Sequence, residues 1–140
     1  RKLYTKGECA DGFFIEPTVF DGCTGQMTIV KEEIFGPVAA IQTFKTEDEA
    51  IALANDTEYG LAGAVFTNDH MRAMRVIKEL RAGITWINCY NPCFAEGPWG
   101  GYKMSGIGRD LGPQGLEEYQ EVKQINDCLD SGMPGWYPER

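Results

Sequence analysis

A carboxylate stands two residues before an aromatic ring in Lys31-Glu32-Glu33-Ile34-Phe35-Gly36-Pro37, and this pair is the first place where chemistry could reside. Gly36 permits tight backbone geometry, and Pro37 biases it away from helix. Glu33 and Phe35 are therefore expected to project from a fixed turn at the entrance to a strand. A carboxylate accepts hydrogen bonds from both hydroxyls of a ribose, and a ring packs on a flat heterocycle. The pair would suit the redox end of a dinucleotide. The competing reading is a helix end with two solvated glutamates and a core phenylalanine, and by residue type alone that reading is the stronger.

The other candidates are weaker. The glycines of Gly97 to Arg109 (GPWGGYKMSGIGR) invite a phosphate-loop reading, but Gly106, Gly108 and Gly112 give GxGxxxG with no predicted strand before it. A tightly turned, packed loop is expected instead, with Arg109 free to order a neighbouring segment. His70, the only histidine, follows Asn68-Asp69 at a predicted helix start and is expected at the surface, so a Ser/His/Asp or Cys/His site has little to build on. Glu47-Asp48-Glu49 falls in a first helical turn, where acidic groups complement the helix dipole. Five cysteines (Cys9, Cys23, Cys89, Cys93 and Cys128) are odd in number and include no CxxC pair. Cys89 and Cys93 have no second pair or nearby histidine to complete a zinc site, so no metal is expected. Free thiols in a reducing, cytoplasmic compartment are.

These residues must be held by alternating elements. Val38 to Phe44 reads as a strand. Thr46 with Glu49 forms a capping box for a helix that places Ala50, Ile51 and Ala54 on one face and ends at Asn55. Leu61 to Phe66 is the next strand. Asn68 or Asp69 caps a helix to about Ala82, with Ala73, Val76, Ile77 and Leu80 on its apolar face and Gly83 at its C-cap. Ile84 to Asn88 is a buried strand. Strand, helix, strand, helix, strand is the grammar of one parallel α/β sheet. Phe13 to Phe20 is an edge strand interrupted by Pro17, Tyr90 to Gly108 is loop, a helix starts near Pro113, and Glu121 to Ile125 is a last strand.

Composition narrows the partners. The net charge of −8, from 21 acidic against 13 basic side chains, repels a polyanion, so nucleic acid is not expected. No basic run suits an anionic membrane surface, and no apolar stretch approaches a bilayer span. The absence of an initiator methionine before Arg1 suggests a chain that starts inside a longer product.

KEEIFGPV, LANDTEYGLAGAVFTND, PWGGYKMSGIGRDLG and GLEEYQEVK, in that order, resemble the C-terminal part of the aldehyde dehydrogenase superfamily from about Gly12 to Ile125. The resemblance implies that residues 1–117 form the later part of a catalytic α/β domain. Residues 118–126 would be a bridging strand lent to a neighbouring subunit of a homo-oligomer, dimer or tetramer, and 127–140 a tail. Glu33 matches the glutamate that holds the nicotinamide ribose and Phe35 the ring beside the nicotinamide, which reverses the preference stated above. Asn91, Cys93 and Trp99 match the segment lining the aldehyde tunnel.

The reaction implied is oxidation of a small-molecule aldehyde to a carboxylic acid through a thiohemiacetal on cysteine, with hydride transfer to NAD or NADP. The nucleophilic cysteine, the general-base glutamate, the oxyanion-hole asparagine and the coenzyme-domain glycines all lie upstream of Arg1 in the family. No catalytic residue is thus expected here, and the isolated chain is expected to be an inactive assembly and cofactor-edge module. CYNPCFAEGPWGG is similar to the betaine aldehyde members. Trp99, where many members carry phenylalanine, suits a quaternary ammonium group, while Ile84, near the tunnel, would crowd a bulky head group. Asp110 stands where members commonly have glutamate, one methylene longer, and no catalytic role is assigned to it.

Overall fold

The computed structural model describes residues 12–127 and 129. Cys9, Cys128 and nearly all of the expected tail lie outside the described residues. In chain order the elements are β1 (Thr18–Phe20), α1 (Thr28–Lys31), β2 (Val38–Ala40), α2 (Glu47–Asn55), β3 (Tyr59–Gly60), β4 (Ala62–Val65), α3 (His70–Glu79), β5 (Ile84–Ile87), β6 (Tyr102–Lys103) and α4 (Gly112–Glu117).

The α/β grammar holds. β1 and β2 pair in parallel with Thr18 opposite Val38, and β4 and β5 pair in parallel with Ala62 opposite Ile84. Pro17 immediately precedes β1, where its missing N–H removes no ladder bond. The expected single sheet is not formed, however. Among the described residues there are three two-stranded sheets, and β2 does not pair with β4 although only α2 and β3 separate them in sequence. Parallel neighbours need not be consecutive in the chain, so a strand–helix–strand pattern specifies direction better than adjacency. The third sheet was not anticipated: β3 and β6 pair antiparallel, Tyr59 opposite Lys103, and β6 lies inside the stretch expected to be loop.

Helix ends follow side-chain chemistry. Thr46 Oγ1 accepts from the Glu49 amide at 3.2 Å, while Glu49 Oε2 reaches back to the amide of Lys45 rather than that of Thr46, at 2.8 Å. Asp69 caps α3, with Oδ1 accepting from the Arg72 amide at 3.0 Å, and this hydrogen bond is the leading reason its carboxyl lies below the usual range. Asn55 ends α2 as expected and also ties it to α3. Its Nδ2 donates to the Glu79 carbonyl and its Oδ1 accepts from the Arg81 amide, both at 2.8 Å.

Two expectations fail locally. Gly83 is not the C-cap of α3, because the helix stops at Glu79 and Leu80 is already extended (φ −72°, ψ 122°). Glycine is needed there for another reason: a Cβ would overlap the carbonyl of Gly100. Ala54 is exposed, whereas Ala50 and Ile51 are half-buried as expected.

The expected strand over 121–125 does not form in the single chain, where residues 120–127 carry no regular structure. A strand is defined by a partner, and sequence pattern cannot supply one.

A salt link joins the helices. Arg75 grips Glu47 through Nε (2.9 Å) and Nη2 (2.8 Å), and Arg72 Nε lies 3.5 Å from the same carboxylate. The Arg75 hydrogen bond, first among the causes, lowers the Glu47 pKa from its ordinary value of 4.5. Because the folded-state value is the depressed one, the linked stability is present above about pH 4.5 and is lost as pH falls through the folded value. Glu47→Gln should flatten the acid limb of a stability–pH curve and reduce its salt dependence. An acid limb identical to that of the parent would refute this assignment.

The core is thin. The apolar face of α3 lies on β4 and β5, with Ala73 fully buried, yet the only other buried apolar residues among those described are Cys23 and Trp86. Phe13, Phe35, Ile107 and Val122 are 90% exposed or more. So many rings and aliphatic side chains in water mark a surface built to be covered.

Candidate functional site

The turn before β2 presents its side chains as the sequence suggested, but by a different residue. Gly36 does not use a left-handed conformation; Phe35 does, at φ 45°. A Cβ on Gly36 would meet only ordinary contacts at 3.7 Å, so this position does not require glycine. A bulky residue at positive φ is a backbone outlier of the kind held at functional sites, with a cost of about 1–3 kcal/mol. The outcome is a Phe35 ring that is 90% exposed and a Glu33 that is also exposed. Within the described residues of this chain Phe35 is not part of the core.

Both side chains face one cleft of about 630 Å³, within the range of small-molecule sites. Its floor is the start of β4 (Ala62–Ala64), and its far wall is formed by Asn55 and Thr57, Leu80 to Ala82, and Met104 with Ser105. The cleft therefore opens where α2 and α3 end and β4 and β5 begin. The end carbonyls of both helices are capped from within the chain, that of Asn55 by Lys103 Nζ and that of Glu79 by Asn55 Nδ2. Of the charged residues in this lining, Glu33 is acidic and Arg81 basic. Tyr59, in the same wall, has its hydroxyl raised above the usual phenol range, first by the Glu58 carboxylate, then by partial burial, with Glu33 and Glu32 adding to it. Lys103 Nζ donates to the carbonyls of Asn55 (3.0 Å) and Thr57 (2.9 Å) and so places a positive charge at the end of α2.

A second cleft, of about 500 Å³, adjoins the first. Leu61 and Ser105 line both, and Trp99 lies in the second. Trp99 is held by a two-way backbone pairing with Asp110, donating at 2.6 Å and accepting at 2.7 Å. Arg109 orders this loop, as its sequence position suggested. Its guanidinium donates to the carbonyls of Gly101 (3.1 Å) and Gly108 (2.6 Å) and lies 5.3 Å from the centre of the Tyr102 ring.

Asn91 and Cys93 are exposed on the loop leaving β5 and line neither of these clefts. Asn91 has φ 69°, a conformation that asparagine tolerates better than most residues, so its type also meets a backbone need. Cys23, Cys89 and Cys93 are all free thiols. The recorded hydrogen bonds among the described residues pair neither Cys89 nor Cys93 with a base. His70, at the exposed start of α3, is not in these clefts.

Sequence reasoning missed Leu61, Ser105 and Trp86. Leu61 and Ser105 carry no signal of their own, since each becomes a wall residue only through the β3–β6 pairing. Trp86 was legible only as a buried residue of a strand. No helix of the described residues is long and apolar enough to cross a membrane.

The fold agrees with comparison to known proteins. A model of the aldehyde dehydrogenase family matches residues 1–125. The chain is 56% identical over 126 residues to a chloroplastic betaine aldehyde dehydrogenase of Atriplex hortensis, covering 90% of this chain and 25% of that protein. It is 54% identical, with the same coverage, to the peroxisomal aminoaldehyde dehydrogenase 2 of Pisum sativum. A crystal structure of Staphylococcus aureus betaine aldehyde dehydrogenase in complex with NAD+ superposes with a TM-score of 0.88 at 49% identity, over 98% of this chain and 27% of that one. The chain thus spans about a quarter of the length of the relatives it matches. With the family model covering nearly its whole length, this chain belongs to the aldehyde dehydrogenase family.

Proposed function

We propose that this chain is the C-terminal portion of an NAD(P)+-dependent aldehyde dehydrogenase acting on a small cationic aldehyde of the betaine aldehyde type, and that it contributes the nicotinamide-side wall and part of the aldehyde site. The observation that carries the reading is that Glu33 and the exposed Phe35 ring share one cleft, which adjoins the cleft holding Trp99. The bound dinucleotide would supply the hydride acceptor. Glu33 is suited to accept hydrogen bonds from ribose hydroxyls and Phe35 to flank a planar ring. NAD is favoured over NADP because the S. aureus relative is solved with NAD+.

Trp99 supports the cationic substrate, since indole is the best neutral partner for a quaternary ammonium group. Asn91 and Cys93 are proposed to complete that wall once the loop is covered. The thiol nucleophile is proposed to come from the preceding part of the protein. That part would also cover much of the exposed apolar surface, and a neighbouring subunit would pair with residues 118–126. Residues 1–117 belong to the catalytic domain and 127–140 form a tail on this proposal. The relatives' names place one in chloroplasts and one in peroxisomes. For this chain a reducing, cytoplasmic compartment is proposed, supported by its free thiols.

The test is complementation. This chain with NAD+ and betaine aldehyde should produce no NADH, and adding the missing N-terminal part should restore turnover. Turnover by the chain alone would refute the proposal that the nucleophile lies elsewhere.

A further inference from the structure

Trp86 is one of three buried apolar residues among those described, 8% exposed, yet it sits on a strand of only four residues beside a loop that carries every proposed substrate contact. Its indole touches that loop at three places. The Nε1–H donates to the Pro92 carbonyl at 3.0 Å. The ring meets Tyr90 edge-on, with centroids 5.4 Å apart and planes at 62°. It also meets Trp99 at 6.3 Å and 56°. Pro92 lies between Asn91 and Cys93, so one side chain contacts the segment bearing both and the Trp99 ring as well.

The backbone around Trp99 is already pinned by its pairing with Asp110 and by the close fit of Gly83 against Gly100. What those contacts leave free is the rotation of the Trp99 ring, and Trp86 is the aromatic group packed against it. The loop itself has few internal ties: Asn88 and Asn91 both adopt positive φ, and Cys89, Tyr90 and Cys93 are exposed. A loop with so little packing of its own takes its shape from the group it is anchored to.

We propose that Trp86 is a positioning residue for substrate selectivity, setting the orientation of the Trp99 indole and the placement of the Asn91–Cys93 segment without touching substrate. This rests on the reading that Trp99 faces the cationic head of the aldehyde. An edge-to-face aromatic contact fixes ring angle as well as distance. A cation over an indole depends on the face being presented, so a turned ring loses attraction for a cation far more than for a neutral group of equal size.

The experiment uses the full-length enzyme and compares kcat/KM for betaine aldehyde with that for 3,3-dimethylbutanal, its uncharged isostere. Trp86→Leu should lower the ratio about fivefold with the KM for NAD+ unchanged. Trp86→Phe, which keeps a ring against Trp99 but loses the bond to Pro92, should retain most of the ratio and raise the KM for both aldehydes. If the Leu variant fails to fold, the Phe variant decides, and aldehyde KM values equal to the parent's would overturn the proposal. A folded Leu variant with an unchanged ratio would also overturn it, as would equal losses for aldehyde and NAD+, which would indicate a merely structural role. Trp99→Leu separates the two readings. If the parent enzyme shows no preference for the cation and Trp99→Leu changes nothing, the cationic-substrate reading fails. Trp86 is then judged by whether Trp86→Leu raises the neutral aldehyde's KM while sparing that for NAD+.

Discussion

Glu33→Gln in the full-length enzyme should raise the KM for NAD+ about tenfold while leaving the fold intact. Glutamine has nearly the same shape, so packing is preserved; what changes is that a charged acceptor for two hydroxyls becomes a neutral one. Hydrogen bonds to charged groups contribute about 1.5–3 kcal/mol, and 1.4 kcal/mol corresponds to about tenfold in affinity. The exposed position of Glu33 means that no internal partner is left unsatisfied by the change. Phe35 provides the complementary experiment. Phe35→Gly relieves the positive φ and removes the ring, so coenzyme affinity should fall while thermal stability holds or rises. An unaltered coenzyme KM in both variants would remove the observation on which the proposed function rests.

The second large effect is expected at a residue with no chemistry of its own. A Cβ at Gly83 would overlap the Gly100 carbonyl, backbone against backbone, where no side chain can swing aside. Gly83→Ala should therefore destabilise the protein by about 1–3 kcal/mol or more, read as a lower inactivation temperature, and should reduce selectivity for betaine aldehyde by shifting the segment next to Trp99. Gly97→Ala is the control. Its nearest neighbour would be the Phe94 carbonyl at an ordinary 3.6 Å, and its effect should stay within about 1 kcal/mol. Equal stability of the two variants would show that the Gly83–Gly100 approach is not a constraint on the fold.

Both experiments separate two kinds of information. The order of β2, α2, β4, α3 and β5, the capping of α2 by Thr46 and α3 by Asp69, and the apolar face through Ala73 were determined by the sequence. Each depends on residues within a turn or two of one another, where periodicity, capping and proline geometry act directly. Tertiary structure alone decided the rest. It made Gly83 a contact with Gly100 rather than a helix cap, paired Tyr59–Gly60 with Tyr102–Lys103, and left β2 and β4 unpaired. It also left residues 120–127 without a strand and set Trp86 against Trp99. These outcomes join residues far apart in sequence, or wait on a partner outside the chain. No local pattern encodes them, because the energy that selects them comes from surfaces that meet only after the chain has folded and been covered.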